Sequence, residues 1–212
     1  MRGVLITVEG VEGSGKTTHC QLVGEWLRPR GLEVVLTSEP DGTPLGSAVR
    51  GLFESDGVPP TPLAQTFLFM AARQQHVAAV IRPALERGAV VISDRFADAT
   101  LAYQGFGGGM DLETIRDLNA LATGGVMPDL TLLLDLDPAE GIKRISNREL
   151  DAFEKMDLAF HRRVRDGYLE IAHAEKSRVV VVGAAQPKAA LHGEIVRAVE
   201  ELLDRLEAHR GA

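Results

Sequence analysis

A glycine-rich loop close to the N-terminus contains the residue types that bind the phosphates of a nucleotide. Residues 10–17, GVEGSGKT, match the G-x-x-x-x-G-K-[ST] pattern in full. Glycines let the backbone curl until successive N–H groups converge on one anion, and a helix that follows adds the positive end of its dipole. Lys16 would contact the outer phosphates, and the Thr17 hydroxyl would be a ligand of Mg²⁺. The residues predicted to bind the triphosphate are Gly10, Val11, Glu12, Gly13, Ser14, Gly15, Lys16, Thr17 and Thr18.

A second group of candidate residues follows another apolar run, at Asp94 and Arg95. Ligand groups collect at the carboxyl ends of parallel strands, where a carboxylate suits Mg²⁺ and a guanidinium suits phosphate. Upstream, Phe69 and Arg73 are spaced i, i+4 on one face of a predicted helix, so they could stack on a nucleobase and hydrogen-bond its carbonyl. The residues alone leave two alternatives open: an exposed ion pair at Asp94 and Arg95, and an ordinary core position for Phe69.

Five short apolar runs rich in β-branched residues must position these groups. Each is nearly continuously apolar rather than alternating, which is typical of strands covered on both faces, and they span residues 3–8, 33–37, 89–93, 130–136 and 178–182. Helical patterns lie between them at 16–28, 45–54, 63–86, 111–122, 139–148, 151–176 and 188–208. Thr61 is a predicted N-cap, and Pro83 is expected to kink or break its helix. The alternation predicts an α/β fold: a five-stranded parallel sheet wrapped by helices on both faces. We expect residues 1–212 to form a single domain.

Composition and charge exclude several classes of protein. The chain has 212 residues, of which 45% are hydrophobic and 25% charged, so it is neither disordered nor fibrous. Its net charge of −7 argues against nucleic acid or an anionic membrane as partner. The lone Cys20 permits no internal disulfide, and no apolar run reaches the roughly 18 residues of a membrane helix. We expect a soluble cytoplasmic protein.

The phosphate-binding loop alone does not separate a kinase from a GTPase, a motor or a transport ATPase. The N-K-x-D element that reads guanine is absent, because the only asparagines are Asn119 and Asn147 and neither precedes a lysine. The chain also lacks the long insertions of motors and transporters. These observations favour a small-molecule kinase.

Several motifs in order make the chain resemble the bacterial thymidylate kinases. They are EGVEGSGKTT at 9–18, EPDGT at 39–43 where the family has E-P-G-G-T, FMAAR at 69–73, Asp94-Arg95 with Thr100 and YQG at 103–105, and PDLT at 128–131. Their order and spacing extend over residues 3–187. The resemblance implies the three-layer fold of phosphate-loop kinases and transfer of the ATP γ-phosphoryl group to dTMP, giving dTDP and ADP with Mg²⁺ as cofactor. It also implies a homodimer.

The resemblance assigns residues to the thymine and the deoxyribose. Phe69 would stack on the base, Arg73 would hydrogen-bond its O4 edge, and Thr100 would meet it near N3. Gln104 would help to close the base pocket. Tyr103 would pack where a ribose carries its 2′-hydroxyl, because an apolar wall there deprives that hydroxyl of its water partners.

Other roles implied by the resemblance concern phosphate and metal. Arg95 would hold the acceptor phosphate with help from Arg50, and Glu12 would face the acceptor sugar and the metal shell. Thr17 and Asp94 would be the metal-site residues. Together with Lys16 and a lid arginine, Arg95 and Glu12 form the predicted catalytic set.

A lid is expected at about residues 143–155. The Glu12-Gly13 pair resembles the subgroup that supplies a catalytic arginine from the lid, which makes Arg148 the candidate and leaves Arg144 to flank adenine. Solvated helix charges are the alternative for both arginines. The lid is about one residue shorter than usual, and Ser38 and Gly108 stand where related enzymes carry basic residues.

Two rival functions stay open at the level of the sequence. The first is a different nucleoside monophosphate kinase or a deoxynucleoside kinase, against which the set Phe69, Arg73, Thr100 and Tyr103 argues. The second is a nucleotide-dependent switch or silent binding module, which has no need of an acceptor pocket.

Overall fold

A sheet of five parallel strands forms the centre of the structure, a computed structural model that describes residues 3–54, 60–147 and 149–208. The strands lie in the order β2-β3-β1-β4-β5. Their bounds are β1 Val4–Glu9, β2 Val34–Ser38, β3 Val90–Asp94, β4 Leu130–Asp135 and β5 Val179–Gly183. Each strand lies within a residue or so of its predicted position. The predicted five-stranded parallel α/β fold is therefore confirmed.

Nine α-helical segments within the described residues connect or follow the strands. They are α1 Lys16–Leu27, α2 Pro44–Glu54, α3 Pro62–His76, α4 Arg82–Glu86, α5 Ala97–Thr100, α6 Leu112–Thr123, α7 Pro138–Ile145, α8 Leu158–Ala174 and α9 Lys188–Ala208. A π-helical stretch at Val77–Ile81 joins α3 to α4, and another at Leu101–Gly107 continues α5. None of the described helices is both long enough and apolar enough to cross a membrane.

Helices cover both faces of the sheet because successive side chains of a strand point to opposite sides. On β1, Ile6 and Val8 belong to the same core cluster as Val23 of α1. Leu5 instead packs in a second cluster with Ile81 of the π-helical stretch before α4. All six residues of β1 are buried, as the nearly continuous apolar run at its start predicts, and the polar Thr7 and Glu9 are buried with the rest.

Local signals in the sequence explain where several helices begin. The Thr61 side chain accepts a hydrogen bond from the Ala64 N–H at 3.4 Å, which confirms it as the N-cap of α3. Pro83 lies in the first turn of α4, directly after the π-helical stretch. The predicted interruption of the long helix is therefore confirmed, since proline cannot continue the regular hydrogen-bond ladder.

Two helix predictions are wrong. The helical segment at 97–107 is absent from the predicted set, because its glycines and its π-helical continuation hide the usual periodicity. Helix α8 begins at Leu158 and not at residue 151, because Asp157 caps it by accepting the Phe160 N–H at 2.7 Å. Before it, Asp151 accepts the N–H groups of Phe153 and Glu154 and forms a turn at 151–154.

Candidate active site

A cavity of about 660 Å³ opens where β1, β2 and β3 end. Ligand pockets in open parallel sheets lie at this edge, and a volume of a few hundred cubic ångströms suits small-molecule substrates. The loop after β1 forms one wall, and the residues after β2 and β3 form the floor. Side chains of α2 and α3 and of the segment 151–154 close the opposite end.

Most of the predicted site residues line this one cavity. They are Glu12, Gly13, Gly15, Lys16, Thr17, Thr18, Arg50, Phe69, Arg73, Asp94, Arg95, Thr100, Tyr103, Gln104 and Arg144. Gly10, Val11 and Ser14 of the same loop are buried and are not among the lining residues. Arg148, predicted to be the catalytic lid arginine, lies outside the described residues.

The glycines of the phosphate loop are required by its backbone. Gly10 and Gly13 have φ angles of 137° and 71°, which L side chains rarely adopt. A Cβ atom at Gly13 would lie 2.3 Å from the carbonyl oxygen of Gly141. The loop therefore packs directly against the backbone of α7, and only glycine fits there.

Lys16 is the buried cation of the loop. Its Nζ donates to the carbonyl oxygen of Val11 at 2.9 Å, and Lys16 is the first residue of helix α1. Burial, reinforced by the neighbouring Arg95 charge, lowers the pKa of Lys16 to about 8. An ammonium group that is already stripped of most water interacts strongly with a phosphate that enters the cavity.

Thr17 and Asp94 bring two oxygen ligands together. The Thr17 hydroxyl donates to Asp94 Oδ2 at 2.5 Å, and both residues line the cavity. Among the described residues, no group of three or more His, Cys, Asp or Glu side chains could hold a metal ion. Mg²⁺ bound with substrate phosphates needs only one or two protein oxygens beside water, so this pair fits that ion.

Arg95 joins the two halves of the cavity. Its Nη2 donates to Glu12 Oε1 at 2.8 Å and to the Tyr103 hydroxyl at 3.1 Å. Tyr103 in turn donates to the same Glu12 oxygen at 2.5 Å. Burial would raise the pKa of the Glu12 carboxyl, but the charges of Arg95 and Lys16 outweigh it and lower that pKa below its usual value. Glu12 is therefore an anion held between two cations.

Aromatic side chains form the end of the cavity away from the phosphate loop. Phe69 stacks on Phe53, with ring centroids 5.0 Å apart and planes 12° from parallel. Phe153, from the turn at 151–154, lies 5.9 Å from Phe69 and 6.1 Å from Tyr103 between ring centroids. Gln104 reaches this region too, with its amide 3.5 Å from Gln65 Oε1. These rings make an apolar pocket suited to a flat base.

Arg73 is held by protein acceptors on every side. Its Nε donates to Glu39 Oε2 at 2.8 Å, and its Nη1 donates to Thr100 Oγ1 at 3.0 Å and Asn119 Oδ1 at 2.6 Å. Its Nη2 donates to the Phe96 carbonyl oxygen at 3.0 Å and lies 2.7 Å from Glu39 Oε2. These contacts occupy the five N–H groups that a guanidinium possesses. A base carbonyl at Arg73 would share a donor that already has a partner.

Two further predicted arginines also have partners. Arg50 donates to Asp41 Oδ2 at 2.5 Å, and its Nη1 lies 4.0 Å from Asp151 Oδ2. Arg144 donates to the carbonyl oxygens of Gly13 and Ala184, each at 3.3 Å, and to the carboxylate of Glu140 on its own helix. Arg144 thus bridges the phosphate loop and the segment after β5.

Comparison with known proteins agrees with this site. A family model described as Thymidylate kinase matches residues 8–195. A thymidylate kinase of Deinococcus radiodurans is 49% identical over 201 residues, which cover 94% of this chain and 98% of that protein. The chain belongs to the thymidylate kinase family. As a member of this family it is a phosphotransferase that converts dTMP and ATP to dTDP and ADP.

Two further comparisons cover nearly the same span. A thymidylate kinase of Carboxydothermus hydrogenoformans is 47% identical over 181 residues, covering 85% of this chain and 89% of that protein. A crystal structure of thymidylate kinase from Ehrlichia chaffeensis superposes with a TM-score of 0.76 at 35% identity, covering 94% of this chain and 99% of that chain. The resemblance recognised in the sequence is therefore confirmed over most of the fold.

Several residues of the site escaped sequence reasoning. Phe53 and Phe153 are isolated aromatics in predicted helices, and nothing in their spacing separates a pocket wall from an ordinary core position. Glu39 stands inside the quoted EPDGT motif, but its contact with Arg73 joins residues that are far apart in the chain. The hydrogen bonds of the Tyr103 hydroxyl with Glu12 and Arg95 were not predicted either, because the resemblance implied only a steric role for Tyr103.

Ser38 and Gly108, which stand where related enzymes carry basic residues, differ in their position relative to the cavity. Ser38, at the end of β2, lines the cavity, so a basic residue there would add a cation to it. Gly108 follows the π-helical stretch and is not among the lining residues. A Cβ at Gly108 would lie 2.8 Å from the Gln104 carbonyl oxygen.

Proposed function

We propose that phosphoryl transfer from ATP to dTMP takes place in the 660 Å³ cavity, with Mg²⁺ held beside Thr17 and Asp94. The observation that carries this proposal is the contact of Arg95 with Glu12 and Tyr103. Because Glu12 belongs to the phosphate loop and Tyr103 to the proposed acceptor pocket, the two parts adjoin each other within one cavity. Two substrates bound on either side of Arg95 would bring donor and acceptor phosphates together.

The donor half supplies positioning and charge. The backbone N–H groups of the loop and the start of α1 would hold the phosphates of ATP. Lys16 would move its ammonium from the Val11 carbonyl to the transferring group, where negative charge spreads in a loose transition state. Mg²⁺, when bound, neutralises phosphate oxygens and orients them. The hydroxyl of Thr17 and the carboxylate of Asp94 would hold that ion or its water ligands.

The acceptor half would orient dTMP for attack. Phe69 would stack on thymine, Thr100 and Gln104 would meet its polar edge, and the Tyr103 ring would face C2′ of the deoxyribose. Arg95 would hold the 5′-phosphate, supported by the absence of any described acceptor for its Nε. Holding both reactants in line is the main source of rate in such reactions.

A lid over this cavity is part of the proposal. Five residues of the predicted lid segment 143–155 line the cavity, which supports a covering role: Arg144, Ile145, Asp151, Phe153 and Glu154. Arg148 would reach the transferring phosphoryl group from this segment, and Arg144 would flank the adenine. We place residues 1–212 in one catalytic domain that carries this lid.

The assembly and the compartment are further proposals. A homodimer is supported by the family resemblance and by Leu63 and Phe67, which are 49% and 54% exposed one turn apart on α3. Sedimentation velocity at micromolar concentration should give twice the mass of one chain. A cytoplasmic location is supported by the buried free thiol of Cys20 and by the use of dTDP for DNA synthesis.

A panel of acceptors tests the proposed function most directly. ADP release would be measured with ATP and Mg²⁺ against dTMP, dUMP, dCMP, dGMP and AMP at equal concentrations. The pocket described above predicts the highest kcat/KM for dTMP. Faster turnover of AMP or dCMP would favour a different nucleoside monophosphate kinase, and nucleotide binding without turnover of any acceptor would favour a switch.

A further inference from the structure

The backbone of Arg95 adopts a conformation that non-glycine residues seldom take. Its φ angle is 71°, in the left-handed region. Such a residue persists only where its surroundings hold it in place. Two hydrogen bonds do so: the Arg95 N–H donates to the carbonyl oxygen of Val8 on β1 at 3.0 Å, and Ser93 Oγ donates to the Arg95 carbonyl oxygen at 2.7 Å.

The third anchor is a buried carboxyl at the end of β1. Glu9 is fully buried, and its Oε1 accepts the N–H of Phe96, the residue after Arg95, at 2.7 Å. Its Oε2 accepts the hydroxyl of Tyr168 from α8 at 2.8 Å. Both oxygens of Glu9 are therefore used to hold the surroundings of Arg95, and neither lines the cavity.

The Tyr168 hydroxyl that donates to Glu9 also accepts a hydrogen bond from the guanidinium of Arg95. Arg95 Nη1 donates to the Tyr168 oxygen at 3.2 Å and to the Gly10 carbonyl oxygen at 3.1 Å. Tyr168 is 2% exposed and lies behind Arg95, with its ring 6.3 Å from that of Tyr103 between centroids. One chain of hydrogen bonds thus runs from the Phe96 N–H through the Glu9 carboxyl and the Tyr168 hydroxyl to the guanidinium of Arg95.

We propose that Glu9 and Tyr168 are positioning residues that aim Arg95 at the acceptor phosphate. Glu9 fixes the turn that carries Arg95, and Tyr168 fixes its guanidinium from the side away from the substrate. The proposal rests on the proposed function of Arg95 as the group that holds the 5′-phosphate of dTMP. Neither positioning residue touches a substrate.

The central test uses Tyr168→Phe, which removes one hydroxyl and keeps the buried ring. The KM of dTMP and the inhibition constant of thymidine, which has the same base and sugar but no phosphate, are measured side by side. Loss of one hydrogen bond to a charged group predicts a rise in the KM of dTMP of about tenfold. The thymidine constant should change by less than about twofold, because thymidine makes no contact with Arg95 through a phosphate.

Glu9 is tested by a pair of variants. Glu9→Gln keeps an oxygen for the Phe96 N–H, and its NH2 group would donate to the Tyr168 oxygen, which reverses the direction of the native hydrogen bond but keeps the contact. dTMP binding should therefore stay within about threefold of the parent. Glu9→Leu removes both acceptors and should weaken dTMP at least as much as Tyr168→Phe does. Should Glu9→Leu fail to fold, Tyr168→Phe still decides the matter.

Matched controls separate this role from a general loss of packing. Thr7→Val removes a buried hydroxyl on β1 that pairs with Thr131 Oγ1 at 2.8 Å and touches no group of the cavity, so both constants should stay unchanged. Arg95→Lys should weaken dTMP relative to thymidine. If Arg95→Lys does not, the phosphate role of Arg95 is wrong and the inference is overturned with it. If Arg95→Lys does and Tyr168→Phe weakens both ligands equally or neither, only the inference is overturned.

Discussion

The charged ammonium group of Lys16 is buried in the phosphate loop. In the structure its ammonium is bound to the Val11 carbonyl of its own loop, so it is already desolvated and close to the phosphate position. We expect Lys16→Ala to lower kcat by at least about 100-fold, since groups that stabilise transition-state charge have effects of this size. The thermal unfolding midpoint should change little. Steady-state ADP release and differential scanning fluorimetry measure the two quantities.

A surface lysine provides the control for that substitution. Lys176 is exposed between α8 and β5, and Lys176→Ala should leave kcat and the unfolding midpoint as they are. An unchanged kcat in Lys16→Ala would refute the assigned role of Lys16.

Tyr103 combines a steric surface with a hydroxyl that bonds to Glu12 and Arg95. Two substitutions separate these functions. Tyr103→Phe keeps the ring and should preserve the ratio of kcat/KM for dTMP over its ribose analogue, while it raises the KM of dTMP. Tyr103→Ala removes the wall at C2′ and should lower that ratio about tenfold, a size typical of discrimination against one hydroxyl in an apolar pocket. The sugar-gate role is wrong if the ratio does not move in Tyr103→Ala.

Helix α8 and the helical segment 97–107 support the cavity from behind through close contacts at glycine. A Cβ added at Gly167 would lie 2.5 Å from the Phe106 ring. Gly167→Ala should therefore lower the free energy of unfolding by about 1–3 kcal/mol through overpacking, even though alanine favours a helix more than glycine does. Urea denaturation at equilibrium measures this change.

A second helical glycine gives the opposite expectation. Gly193 lies in α9, and a Cβ there would have no atom within 4 Å. Gly193→Ala should raise the free energy of unfolding by up to about 1 kcal/mol, as helix propensity alone dictates. Equal effects of the two substitutions would show that the contact between α8 and Phe106 is not tight.

The elements also show what a sequence can and cannot reveal. The strands were predictable because their runs are nearly continuously apolar, although only β1, β3 and β4 are buried on both faces. The edge strands β2 and β5 are partly exposed, so the expectation that all five strands are covered on both faces is wrong for these two. The phosphate loop was predictable because glycine, lysine and threonine are needed at fixed spacing. The helical segment 97–107 was missed because its α-helical part has only four residues and residues 101–107 follow a π-helical pattern, so the usual helical periodicity is absent. The contacts of Arg73 with Glu39 and Asn119 were unpredictable, since they join segments that meet only after the sheet has formed.

The free energy of unfolding of the whole molecule should depend on pH through the ionisation of Glu9. Burial, with a contribution from Asp98, raises the pKa of the Glu9 carboxyl from 4.5 to about 8. Between these values the folded state binds more protons at Glu9 than the unfolded state does, so Glu9 lowers stability progressively as the pH rises. The limiting slope is about 1.4 kcal/mol per pH unit.

Glu9→Gln removes this titration and provides the comparison. Urea denaturation of both proteins from pH 5 to pH 8 should show the variant gaining stability relative to the parent as the pH rises. Because all other titrating groups are shared, the difference between the two curves isolates Glu9. Parallel curves would mean that the Glu9 carboxyl keeps an ordinary pKa in the folded protein.

The overall charge of the chain, −7, sets a general repulsion against two anionic substrates. The cavity offsets it locally with Lys16, Arg50, Arg95 and Arg144 and with the N–H groups of the phosphate loop. All four of these cations donate hydrogen bonds to protein carbonyls or carboxylates in the structure. Substrate binding would therefore exchange internal contacts for phosphate contacts.

The fully engaged Arg73 has a consequence for the choice between pyrimidines. Since the N–H groups of Arg73 already have acceptors, a thymine O4 beside it would share one N–H group with a protein acceptor and would gain little binding free energy from that contact. A cytosine would instead direct its own amino group at the N–H groups of Arg73, which cannot accept a hydrogen bond. Preference for thymine would then come mainly from rejection of the wrong base, and discrimination of this kind does not require tight binding of the right one.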